Sequence, residues 1–192
     1  MKRLLTSSAR TFNGRGVEML KRFKWQAALS VALFAASLRF HPDSPLWLIW
    51  PLLGVTYNKI QQFTEDLSEK VHNLQSDALT VALTTNANAP VATNSVLANL
   101  TQIAYTNLSS RVLTVSTSAQ SGGTYKLVIA DLVLTASGAV ATFRWVVIYN
   151  DTPTSPADPL ICYFDYGSDV TLATGETFTL DFDGTNGLLQ IA

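Results

Sequence analysis

The feature that most constrains this chain is the turn chemistry that interrupts it after Ala78. Short apolar runs are separated by Ala87-Asn88-Ala89-Pro90, Ser121-Gly122-Gly123, Ser137-Gly138, Asn150 to Pro156, Thr174-Gly175 and Asp183-Gly184-Thr185-Asn186-Gly187. Gly, Pro, Asn and Asp adopt the backbone angles that tight turns need. Everything after Ala78 reads as strand and turn. The expected strands fall at 78–85, 96–104, 111–117, 124–135, 139–149, 160–166, 169–173, 176–182 and 188–191. The clearest is Thr177-Phe178-Thr179-Leu180-Asp181-Phe182, where Phe178, Leu180 and Phe182 point one way and the polar residues the other. That alternation marks an antiparallel sheet with one dry face. Arg144-Trp145-Val146-Val147-Ile148-Tyr149 is more continuously apolar and reads as a central strand. The expected fold is mainly β, an antiparallel sandwich with a jelly roll among the candidates. No internal repeat of fixed period is present.

One short helix is expected before the strands. Ile60, Phe63, Leu67, Val71 and Leu74 follow a helical stripe, supported by Asp66 and Lys70 four residues apart. Asn58 or Thr56 is the expected start cap, and Asn73 to Asp77 supplies stop chemistry. The stripe is expected to pack on the sheet, with docking into a neighbouring subunit as the alternative.

Charge divides the chain in two. Residues 1–54 carry eight Lys and Arg against two acids, whereas 55–192 carry five against twelve, net −7. The acidic part would repel nucleic acid. Charged residues make up 14% of the chain, well below the roughly 25% of typical soluble proteins. A surface partly covered by neighbours or by lipid fits that scarcity. The sequence thus divides into a basic and apolar extension, 1–54, and a β domain with its helix, 55–192.

Within the extension, Trp25–Leu38 and Leu46–Leu53 are apolar, and neither reaches the ~20 residues a bilayer-spanning helix needs. Three readings are open. Met19 begins a signal peptide, with Lys21, Arg22 and Lys24 ahead of Ala27–Ala36. Alternatively, the two patches lie on a membrane, with Trp25, Trp47 and Trp50 at the interface. Or the mature chain starts later, near Val55. A membrane partner follows only if residues 19–54 are genuine.

The usual catalytic signatures do not occur. There is no Gly-x-x-x-x-Gly-Lys loop, no Gly-x-Gly-x-x-Gly and no Gly-x-Ser-x-Gly elbow. Cys162 sits in the apolar run Leu160 to Phe164 and reads as a buried, inert thiol. With His41 and His72 as the two histidines, no zinc site of ordinary spacing assembles locally, and a Ser/His/Asp triad would have to use His72. Asp165 with Asp169, and Asp181 with Asp183, are the candidate carboxylate pairs for glycoside hydrolysis or calcium. Their simpler reading is turn and solvent-face chemistry. Asn99-Leu100-Thr101 and Asn107-Leu108-Ser109 fit a short glycosylation pattern that chance supplies often. Tyr163, Phe164, Tyr166, Trp145 and Tyr149 could offer a sugar platform, but neighbours on a strand face opposite ways, so most are expected in the core. No catalytic, cofactor-binding or metal-ligating residue is therefore assigned.

Several phrases carry a resemblance. They are Tyr57-Asn58-Lys59 leading to Phe63, Asp66-Leu67, and Val71-His72-Asn73-Leu74. Ala78-Leu79-Thr80-Val81-Ala82-Leu83 and Ala89-Pro90-Val91-Ala92-Thr93-Asn94 follow. Then come Gly123-Thr124-Tyr125-Lys126-Leu127-Val128, Tyr149-Asn150-Asp151-Thr152, and Gly175 through Gly187. Over about residues 55–192 the chain resembles small virion structural proteins of tailed bacteriophages, of the head-decoration or tail-associated kind. Similar proteins begin just before the Tyr-Asn-Lys phrase, here Val55. The resemblance implies a virion location, no enzymatic activity and no cofactor. It also implies self-association, with a trimer expected on a capsid, and major capsid or tail proteins as partners. A receptor- or carbohydrate-binding module and a membrane-anchored or secreted β protein are the alternatives.

Overall fold

The computed structural model describes residues 55–192; the expectations for the basic extension, including His41, lie outside the described residues. The fold is mainly β and antiparallel. Strands β1 (Asn58–Lys59), β2 (Leu79–Thr84), β6 (Val140–Asn150) and β7 (Leu160–Leu172) form a four-stranded sheet in the order β1-β7-β6-β2. Strands β3 (Val115–Ser121), β4 (Thr124–Ile129) and β9 (Leu189–Ile191) form a second, in the order β3-β4-β9. Strands β5 (Leu132–Thr135) and β8 (Thr177–Leu180) pair by themselves. The β6 strand is interior, as its apolar run predicts.

The core is built on the four-stranded sheet. All six residues of β2 are buried, as are Val146 to Asn150 of β6 and Leu160 to Cys162 of β7. A strand buried on both faces loses the alternation that marks a half-exposed one. The alternation does hold in β8: Phe178 and Leu180 are buried, while Thr177 and Thr179 are partly exposed. Phe178 meets Phe143 of β6 edge to face at 5.1 Å and Tyr166 of β7 at 5.2 Å. Each such buried side chain contributes about 1.5–3 kcal/mol.

The helix is shorter than its stripe. It spans Phe63–Ser68, and its cap residue, Gln62, makes no side-chain cap bond. Asn58 lies in β1 instead. Ile60 donates its backbone N–H to Ile161 at 3.1 Å, so it belongs to the edge of the sheet. Lys70 has left the helix with φ 66. Asp66 is buried and accepts from Gln62 Nε2 at 3.3 Å, so the expected Asp66–Lys70 pair is replaced. Ile60 and Phe63 are buried, Leu67 is half-buried against the core, and Leu74 is buried from the loop beyond.

Four strand boundaries also differ. The stretch 96–104 is not a strand: a 3-10 turn covers Leu97–Asn99. Instead, residues 102–113 run along the outer edge of β2, with Ile103 N bonded to Leu83 O and Leu113 N to Leu79 O. Between those contacts Ser109 N reaches Thr135 O of β5 at 3.0 Å. A segment shared between two sheets cannot keep one ladder, so the expected strand at 111–117 also begins late, at Val115. The run 124–135 divides into β4 and β5. Conversely, 160–166 and 169–173 fuse into β7, whose register against β6 shifts around Gly167, at φ +89. Glycine takes that angle without strain, so the strand bulges rather than ends.

Candidate functional site

The residues that suggested chemistry fall into four separate places. The first is a buried polar cluster under the loop after α1 (Phe63–Ser68). Asn150, at the end of β6, has every amide group engaged. Its Oδ1 accepts from Thr152 N at 3.1 Å, and its Nδ2 donates to Asp77 Oδ2 at 2.7 Å and to His72 Nδ1 at 3.1 Å. The Thr152 contact fixes which end of the amide is the donor. His72 Nδ1 is therefore an acceptor, and the imidazole proton sits on Nε2, which is buried without a partner among the described residues. In a Ser/His/Asp triad the same ring would donate from one nitrogen to a carboxylate. Here it accepts from an amide, which is a structural tie. Burial pushes the His72 pKa down, opposed by the nearby Asp66 and Asp77.

The second place is the surface of β6 and β7. Asp165 accepts from Arg144 Nε at 2.7 Å and Nη2 at 2.8 Å, and from the backbone of Gly167 at 2.8 Å. The guanidinium holds the Asp165 carboxyl below its ordinary range. Asp165 thus pins the bulge, while Asp169 is exposed. On the same sheet, Trp145 and Tyr163 share a face at 6.0 Å, both partly exposed. Phe164 is buried, as alternation with Tyr163 requires, and Tyr149 is buried because the end of β6 is covered on both faces.

The third is the turn before β9. Asp183 accepts from the backbones of Thr185 and Asn186, both at 2.8 Å, and from the Asn186 side chain at 2.7 Å. Those bonds lower its pKa. Asp181 is exposed, one residue beyond the end of β8. Both pairs of carboxylates accordingly serve turns and surface, as their simpler reading has it. No group of three His, Cys, Asp or Glu side chains is placed to hold a metal ion among the described residues.

The fourth is the Cys162 environment. The thiol is fully buried beside Tyr57, and burial raises the pKa of both. Asn99 and Asn107, the two glycosylation candidates, both engage the backbone: Asn99 accepts from Val96 N across the 3-10 turn, and Asn107 donates to Ala139 O, 32 residues on.

Two features escaped the sequence. Arg111 stacks 3.6 Å over the Tyr105 ring and donates to the Val81 carbonyl, which anchors the segment along β2. Two adjoining hollows of about 610 and 710 Å³ flank α1 and β9. Neither has a local signature, because each depends on chain segments far apart. Comparison of the chain with protein-family models, with curated proteins and with solved structures finds no match. Among the described residues no helix is long and apolar enough to cross a membrane.

Proposed function

We propose that this chain is a non-enzymatic structural protein of a tailed-bacteriophage particle, acting as capsid decoration or as a tail-associated subunit. In this reading the smaller sheets close over the four-stranded one as a sandwich of jelly-roll type, supported by the contact of Phe178 with Phe143 and Tyr166. One observation carries the functional reading. His72, Asp165 and Asp183 are tied into the domain's own scaffold, while β1, β3 and β9 each end a sheet with no strand beside them among the described residues. Open edges and low charge suit packing on neighbours, in self-association or on major capsid or tail proteins. The acidic balance weighs against a nucleic-acid partner. Mass mapping of peptides from purified particles tests it. Stoichiometric peptides from 60–192 are expected, and particles without them end the proposal.

A receptor- or sugar-binding module is the second reading, favoured by the shared face of Trp145 and Tyr163. It requires glycan-array binding that is lost in Trp145→Ala and Tyr163→Ala.

A further inference from the structure

We infer that the groove between α1, β1 and β9 docks an extended, carboxylate-bearing segment of a neighbouring protein, added as a strand along β9. It rests on the assembly reading above and names the chemistry of the partner.

The groove consists of the two hollows, which meet at Leu67 and Ile191. Tyr57 and Lys59 wall the first on one side, the α1 face of Phe63 and Leu67 forms another, and consecutive residues 186–191 form a third. The terminal strand of the four-stranded sheet and the terminal strand of the three-stranded sheet therefore border one space. A strand laid there pairs with the side of β9 that no described strand occupies, the main-chain recognition used in strand addition. Its apolar side chains would cover Leu67, half-buried, and Ile191, 43% exposed.

Charge selects the occupant. The described domain carries twelve acids against five Lys and Arg, yet among the described residues no Asp or Glu lines either hollow. The charged side chains there are Lys59 and Lys70, with His72 at the border of the second. Glu65 and Glu69, exposed on the same turn, line neither. Lys59 is oriented by Thr64, to whose Oγ1 it donates at 2.7 Å. An acidic segment repelled by most of the surface meets cations here. A second copy pairing β9 to β9 about a two-fold axis would instead bring two lysine-lined hollows together.

The test uses the full chain and three capped heptapeptides: alternating Val and Glu, alternating Val and Lys, and the Val/Glu peptide N-methylated at alternate backbone nitrogens. Binding is read by calorimetry and by amide shifts. The Val/Glu peptide is expected to bind, to move the amides of β9 and α1, and to lose binding on N-methylation. Lys59→Glu with Lys70→Glu, both at exposed positions, should weaken it by about tenfold and favour the Val/Lys peptide. The inference is overturned by no binding at millimolar peptide, by equal binding of both charge types, or by shifts confined to β3. Particle mass mapping is independent of these outcomes. Peptide binding by a protein missing from particles would sink the phage reading alone.

Discussion

Asn150 donates from Nδ2 to Nδ1 of His72 at 3.1 Å, tying the loop after α1 to an interior strand of the largest sheet. The bond makes the loop's attachment depend on a neutral imidazole. A proton on Nδ1 would face the amide N–H and break it.

Acid should therefore loosen the domain. The His72 pKa is lowered from 6.5 by burial, so the unfolded chain binds the proton more readily than the folded one. Stability present above the unfolded value is lost as pH falls from there towards the depressed folded value. Thermal unfolding between pH 7.5 and 5 should show this slope in the native chain and a shallower one in His72→Gln. Parallel curves would remove His72 from the account. Asn150→Ala, which strands buried partners, should cost about 1–3 kcal/mol at neutral pH.

Gly187 separates steric from conformational cost. A Cβ there would lie 2.4 Å from the Leu127 carbonyl oxygen, and φ is +79. At Gly175 φ is +86 but nothing lies within 4 Å. Gly175→Ala should cost about 1 kcal/mol, the left-handed penalty alone, and Gly187→Ala clearly more. Urea titration of both decides, and equal losses would mean that the backbone at β9 yields.

Phe178 of β8 packs its ring edge to face against Phe143 and Tyr166 of the large sheet. Phe178→Ala should destabilise by about 3–5 kcal/mol, the usual loss for a buried ring. A double-mutant cycle with Phe143→Leu should give a coupling of about 0.5–1.5 kcal/mol. Additive losses would show that the edge-to-face geometry contributes nothing beyond burial.

Cys162 should resist thiol reagents in the folded protein. Its side chain is fully buried and burial raises its pKa, so little thiolate is accessible. Labelling is expected at the unfolding rate, independent of reagent concentration. Rapid labelling proportional to reagent would place the thiol at the surface.

Much of the fold was legible in the residues. Phe178, Leu180 and Phe182 are buried as their alternation required, and Arg144 to Tyr149 lies in an interior strand. Cys162 is buried, and Asp183 opens a turn. The failures share a cause. The stripe from Ile60 to Leu74 looked helical because its apolar spacing fits one face, but Ile60 is claimed by Ile161 of β7, and Lys70 turns the chain away. Residues 96–104 had strand composition but form only a 3-10 turn and two single bridges, Val96 to Pro159 ahead of β7 and Gln102 to Thr84 of β2.

Most of the extended segments, most of their turns and the side chains that seek the interior are written in the residues themselves. Alternation and turn chemistry act between near neighbours, so they are written locally. The tertiary structure alone decided which strands lie side by side, where α1 stops, and what His72 touches. Asn150 is 78 residues from it in the chain. Such partners are chosen by the packing of whole sheets, where burial and hydrogen-bond satisfaction are settled over many residues at once.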